Sequence, residues 1–249
     1  MTKRRLCCII EQKEDFSEGG DDMASSNILL YNIKFDRKYS TDEIVDKIEH
    51  DLLDETRIAV EQYDDESLSG IYIYTEIHKT QEYNFELNNF EIITQKKYIV
   101  TEFHIDIENN YMDVWGNSKN AQRIISAISL AFDNHIVIEP MELKFTRMVD
   151  YLSREEGIYV GRVTARQVVL SDGLLADCSF DLSNENAPFE MIEKYKRNIQ
   201  KISFRWKCTG LVIGMVIYMS GTVTIYKERR MITEDELDCI YKMLLYAGR

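Results

Sequence analysis

Proline is scarce in this chain: only two occur in 249 residues. No Gly/Ser-rich or Pro-rich linker appears either, which excludes independent domains on a flexible tether. No apolar run is long: Leu211 to Met219 falls far short of the about 20 residues a membrane helix needs. The apolar core near the start, Leu6 to Ile10, is too short for a secretory leader. A cytoplasmic location and no membrane association are therefore expected. The five cysteines are odd in number and include no CxxC. A reduced Cys7-Cys8 pair is expected rather than a disulfide framework or zinc site. His50, His78, His104 and His135 are too scattered for a zinc motif. GxxxxGK, GxGxxG after a strand, GxSxG and HExxH are all missing, which removes several nucleotide-binding and hydrolase classes.

What is present is a globular composition, with 45% hydrophobic and 29% charged residues, and length enough for a real core. The net charge of −13 is unevenly spread. Through Asp113 there are 26 acidic and 12 basic residues, and from Val114 onward 17 and 18. Within the second part, residues 194–230 hold nine basic residues against one acid, Glu228. These are Lys194, Lys196, Arg197, Lys201, Arg205, Lys207, Lys227, Arg229 and Arg230. Such asymmetry bears on partners rather than on fold.

The clearest local plan runs from Tyr98 to Phe132. Phe103, Ile105 and Ile107 alternate with Glu102, His104, Asp106 and Glu108, the period of a half-buried strand. Asn109-Asn110 suits a two-residue hairpin loop, which sets Asp106 opposite Asp113 and His104 opposite Trp115. Asn117 or Ser118 caps a helix striped by Ala121, Ile124, Ile125, Ile128 and Phe132. Elsewhere, residues 5–10 suggest a first strand and residues 11–26 an acidic loop. Asn27 to Phe35 reads as a strand, and Ser40 with Glu43 as a capping box. Pro140 reads as a first-turn proline of a helix through Leu152. Ser171-Asp172-Gly173 marks a hairpin that pairs Val163 with Leu182 and Ala165 with Phe180. Asn186 and Pro188 open a further helix, a meander covers residues 202–227, and Thr233 with Glu236 forms a second capping box. The expected fold is α+β, with two packed halves at 1–153 and 154–249. Each is a mostly antiparallel sheet of hairpins and meanders covered on one side by helices.

Two candidate sites follow. On the polar face of the central hairpin, His104, Asp106 and Asp113 could hold Mg²⁺ or Mn²⁺ for phosphodiester cleavage. The ordinary alternative is a solvated outer face whose aspartates spread apart. Glu142-Leu143-Lys144 has an ExK spacing but falls on an expected helix. The second site is the basic segment, which could follow a phosphate backbone or meet an acidic protein surface. The expected function is a non-enzymatic binding protein, a subunit of a larger assembly, with neither catalytic residues nor a cofactor. A metal-dependent nuclease using His104, Asp106 and Asp113 is the rival, and an acidic nucleic-acid mimic the third reading.

Overall fold

The computed structural model describes residues 25–50, 56–169, 173–208 and 210–248. The expected first strand at 5–10 and nearly all of the acidic loop lie outside them, as do Cys7 and Cys8. In chain order the elements are β1 (Ser26–Lys34), α1 (Thr41–His50), β2 (Thr56–Tyr63), β3 (Ser67–Asn84) and β4 (Asn89–Asp106). Next come β5 (Tyr111–Trp115), α2 (Ser118–Ala131), β6 (Val137–Pro140), α3 (Phe145–Leu152) and β7 (Ile158–Val169). The chain continues with β8 (Leu175–Asp181), α4 (Pro188–Tyr195), β9 (Ile199–Lys207), β10 (Val212–Tyr218), β11 (Thr222–Ile225) and α5 (Glu234–Gly248). This is an α+β fold.

The eleven strands form one antiparallel sheet in the order β2-β3-β4-β5-β1-β11-β10-β9-β7-β8, with β6 also on β1. Sequence reading expected a sheet in each half. β1 is what makes them one. Along one edge it pairs with β5, Ile28 opposite Trp115 and Tyr31 opposite Met112. Along the other it pairs with β11, Ile28 opposite Val223.

The helices lie on opposite faces of this sheet, and β1 shows why. Its run Ile28-Leu29-Leu30-Tyr31 is continuously apolar, as a strand covered on both sides must be. Ile28 and Leu30 join one core cluster with α3 (Phe145, Met148), α4 (Ile192) and α5 (Ile240, Leu244). Tyr31 and Ile33 join the other cluster with α1 (Ile44, Ile48) and α2 (Ile124, Ile128). β5 alternates likewise: Tyr111 and Trp115 belong to the first cluster, Met112 and Val114 to the second. Each helix layer covers only part of the sheet. Among the described residues no helix covers the face of β7, β9, β10 and β11 that turns away from α5.

Local chemistry sets the helix starts. Ser40 Oγ accepts from Glu43 N–H at 3.2 Å, and Glu43 Oε2 accepts from Ser40 N–H at 3.0 Å, a closed capping box. Asn117 caps α2 by accepting from Asn120 N–H at 2.9 Å. Pro188 stands in the first turn of α4, as expected, but Ala187 rather than Asn186 precedes it as the cap, without a side-chain bond.

Three local expectations are corrected. Pro140 ends β6 opposite Tyr31 instead of opening a helix. Residues 141–144 run extended, with Met141 N–H bonded to Leu30 O and Leu143 N–H to Met219 O, so α3 begins only at Phe145. The β7–β8 hairpin pairs Val163 with Phe180 and Ala165 with Cys178, two residues off the expected register there. Among the described residues no helix is long and apolar enough to cross a membrane.

Candidate functional site

The β4–β5 hairpin closes through a four-residue loop, Ile107 to Asn110, rather than the two-residue loop expected. Asp106 explains the difference: its carboxylate accepts from Asn109 N–H at 2.7 Å and from Asn109 Nδ2 at 2.9 Å. This turn competes with strand pairing beyond Asp106. Only Asn110 then takes a left-handed backbone, at φ 57°. The register moves by two residues, which keeps every side chain on its face. Asp106 now stands opposite Tyr111, His104 opposite Asp113 and Glu102 opposite Trp115. The two aspartates are not cross-strand partners.

That polar face is not solvated either. Asp113 is 0% exposed, because α5 lies over it. His104 Nδ1 is 3.1 Å from Asp113 Oδ2, and the Tyr241 hydroxyl of α5 donates to Oδ1 at 3.0 Å. The His104, Tyr111 and Tyr241 rings surround the carboxylate, with centroids 5.8 to 6.3 Å apart. Burial by itself would push the His104 pKa down, but the hydrogen bond and charge of Asp113 outweigh it and raise the pKa. Burial and the Asp113 charge raise both Tyr111 and Tyr241. The phenols therefore stay neutral and can serve as donors. Both Asp113 oxygens are thus occupied from within, and Asp106 is spent on its turn. No group of three His, Cys, Asp or Glu side chains among the described residues is placed to hold a metal ion. What this arrangement does chemically is clamp α5 to the hairpin.

The basic segment divides in two. Lys227 Nζ reaches both oxygens of buried Glu236, at 2.9 and 2.7 Å. Glu236 also accepts from Thr233 N–H at 2.8 Å, in the second capping box. Burial alone would raise the Glu236 pKa, but these bonds prevail and lower it. Arg229 stands 3.1 Å from the Glu102 carboxylate with its guanidinium 4.3 Å from the Trp115 ring centre. Arg230 pairs with Glu228, and Lys196 with Glu193. Lys194, by contrast, lies 5.2 Å from the Tyr195 ring centre and Arg197 is exposed in the turn after α4. Both are at the end of the helix layer.

Lys201, Arg205 and Lys207 are different. Ile202, Phe204 and Trp206 are buried under the helices, so the alternation of β9 sends these three cations to the open face. Among the described residues no carboxylate stands within ion-pair distance of any of them. Tyrosines lie between them. Arg205 is opposite Tyr159 on β7 and opposite Gly214 on β10. Gly214 is overlain by Tyr226, whose Cδ2 would be 3.3 Å from a Cβ at that position. One row across the sheet therefore reads Tyr159, Arg205, Gly214 and Tyr226. A second row sets Lys201 opposite Tyr218, with Nζ 5.3 Å from the ring centre. Tyr159 is 64% and Tyr226 48% exposed. Asp181 at the far edge is opposite Arg162, their charges 4.0 Å apart.

Sequence reading placed Arg205 and Lys207 on one strand face but missed Tyr159, Tyr218 and Tyr226. The signal was available in β10, where Ile213, Met215 and Ile217 face the helices and Gly214, Val216 and Tyr218 the other side, Val216 itself being buried there. Row partners across strands could not be read, because they depend on bulges in β7. No protein-family model matches the chain, and no curated protein matches it either.

Proposed function

We propose that the chain is a non-enzymatic binding protein, a cytoplasmic subunit of a larger assembly, that holds an anionic macromolecule on its C-terminal half. The two-part organisation, 1–153 and 154–249, belongs to the same proposal; the core cluster of α1 and α2 lies wholly within the first part, while the other cluster draws on both. One observation carries the reading: Lys201, Arg205 and Lys207 share a sheet face on which, among the described residues, no helix lies and no carboxylate stands within ion-pair distance of them, in a chain of net charge −13. An ordinary surface intersperses both signs. At physiological salt, charges beyond about 8 Å are largely screened. The acidic remainder therefore does not cancel this face for a ligand lying on it.

Retention on immobilised heparin tests the proposal, since heparin offers dense negative charge and no bases. The natural chain should bind at low salt and elute as salt rises. Lys201→Glu, Arg205→Glu and Lys207→Glu together should flow through at the same salt while melting at the natural temperature. A natural chain that passes straight through would contradict the reading.

A further inference from the structure

We infer that the open face of β7, β9, β10 and β11 is a platform for single-stranded nucleic acid, with tyrosines stacking on bases and cations on phosphates. This rests on the anionic-partner reading above and narrows it to one partner class. Cations alone fit any polyanion. The tyrosines between them make the difference, because a planar ring offers its face to a base and nothing comparable to a carboxylate.

The arrangement suits stacking in three respects. First, Tyr159 and Tyr218 stand on β7 and β10, and Tyr226 directly follows β11 with its N–H bonded to Gly214 O at 2.9 Å, so the sheet holds their positions. Strands spaced about 4.8 Å apart put Tyr159 and Tyr226 about 14 Å from one another, with Arg205 between them. Second, Gly214 leaves Tyr226 room to lie over β10; a Cβ there would meet the ring at 3.3 Å. Third, Tyr218 lies beside Lys201 in the neighbouring row, so each tyrosine row holds a cation for the backbone. Stacked bases in a duplex hide their faces from such a surface, whereas splayed single strands present them. Among the described residues no α-helix rises from this face to enter a groove, which disfavours double-stranded DNA read through its major groove.

Fluorescence anisotropy of the full chain with labelled oligonucleotides at moderate salt is the test. The probes are a deoxythymidine 12-mer, a uridine 12-mer and a 12-base-pair duplex. Either single strand should bind at least tenfold more tightly than the duplex, and the two single strands show which sugar is preferred. Tyr159→Ala and Tyr226→Ala should each weaken single-strand binding about tenfold. Tyr159→Phe and Tyr226→Phe should stay within about twofold of the natural chain, since the ring does the stacking. These positions are exposed, so melting curves should not move. Duplex binding as tight as single-strand binding overturns the inference, as does full affinity in the two alanine variants. Heparin retention without oligonucleotide binding overturns it and leaves the anionic-partner reading standing. Failure of both removes both.

Discussion

Tyr241 reaches back 128 residues to donate a 3.0 Å hydrogen bond to Asp113. The last helix is thereby fastened to the fifth strand through a carboxylate that His104 also holds. Removing one partner of a buried charged pair leaves the other without compensation. Asp113→Ala should therefore cost about 3 kcal/mol in urea unfolding. Tyr241→Phe, which leaves one carboxylate oxygen without its donor, should cost about 1–2 kcal/mol. Cross-strand pairing of Asp106 with Asp113, the register expected from the sequence, would give the opposite sign for removing the Asp113 charge, by relief of like-charge repulsion. An Asp113→Asn variant more stable than the natural chain would restore it.

The same network makes stability depend on pH. The folded-state pKa of His104 lies above its ordinary 6.5. A raised pKa means the folded state holds the proton more tightly than the unfolded chain does. The His104 contribution is then complete below the unfolded value and is lost as pH rises through the folded one. Comparing the natural chain with His104→Gln in urea from pH 5.5 to 8.5 should show the stability gap narrowing upward in pH. A gap that widens toward alkaline pH would contradict this.

Glu236 has the opposite pH dependence. Glu236 has its pKa lowered despite burial, so its contribution is present above the ordinary carboxylate range and is lost on acidification through the folded value. Lys227→Ala strands a buried carboxylate, and should cost about 3 kcal/mol. Heparin retention of this variant should be unchanged where it is still folded. Loss of retention at full stability would show that Lys227 belongs to the binding face and not to the core.

Beyond Ile77 and Lys96, β3 and β4 pair, among the described residues, only with each other, as a two-stranded ribbon. It exposes Phe85 at 87% and Ile92 at 71%. Such a ribbon adds little stability of its own. Replacing residues 78–95 by Asn-Gly, between the cross-strand partners Ile77 and Lys96, should leave a cooperative thermal transition within a few degrees of the natural one. A broad, non-cooperative melt would show that the ribbon is part of the fold's core.

Sequence was most informative where chemistry is local. The two capping boxes at Ser40 and Thr233, the cap at Asn117 and the alternation of Phe103 and Ile105 depend on neighbours three residues away or fewer. Loop length in the central hairpin was not legible, because Asn109-Asn110 suits a two-residue turn as well as the four-residue turn that Asp106 stabilises. Burial of Asp113 was invisible for a different reason: its cover, Tyr241, is distant in sequence and its helix looks ordinary. The single sheet could have been suspected from the apolar run Ile28 to Tyr31, which leaves β1 no solvent face. In the basic segment, composition identified an excess of charge, but only strand pairing separated Lys201, Arg205 and Lys207 from cations already matched by Glu102, Glu193, Glu228 and Glu236.

The salt dependence of single-strand binding tests the central claim most directly. Each phosphate contact with a single strand contributes about 0.7 to the slope of log affinity against log salt. With Lys201, Arg205 and Lys207 changed together to Gln, that slope should fall by about 2 relative to the natural chain. An unchanged slope would mean that phosphates do not meet these three side chains, and the account of this face would be wrong.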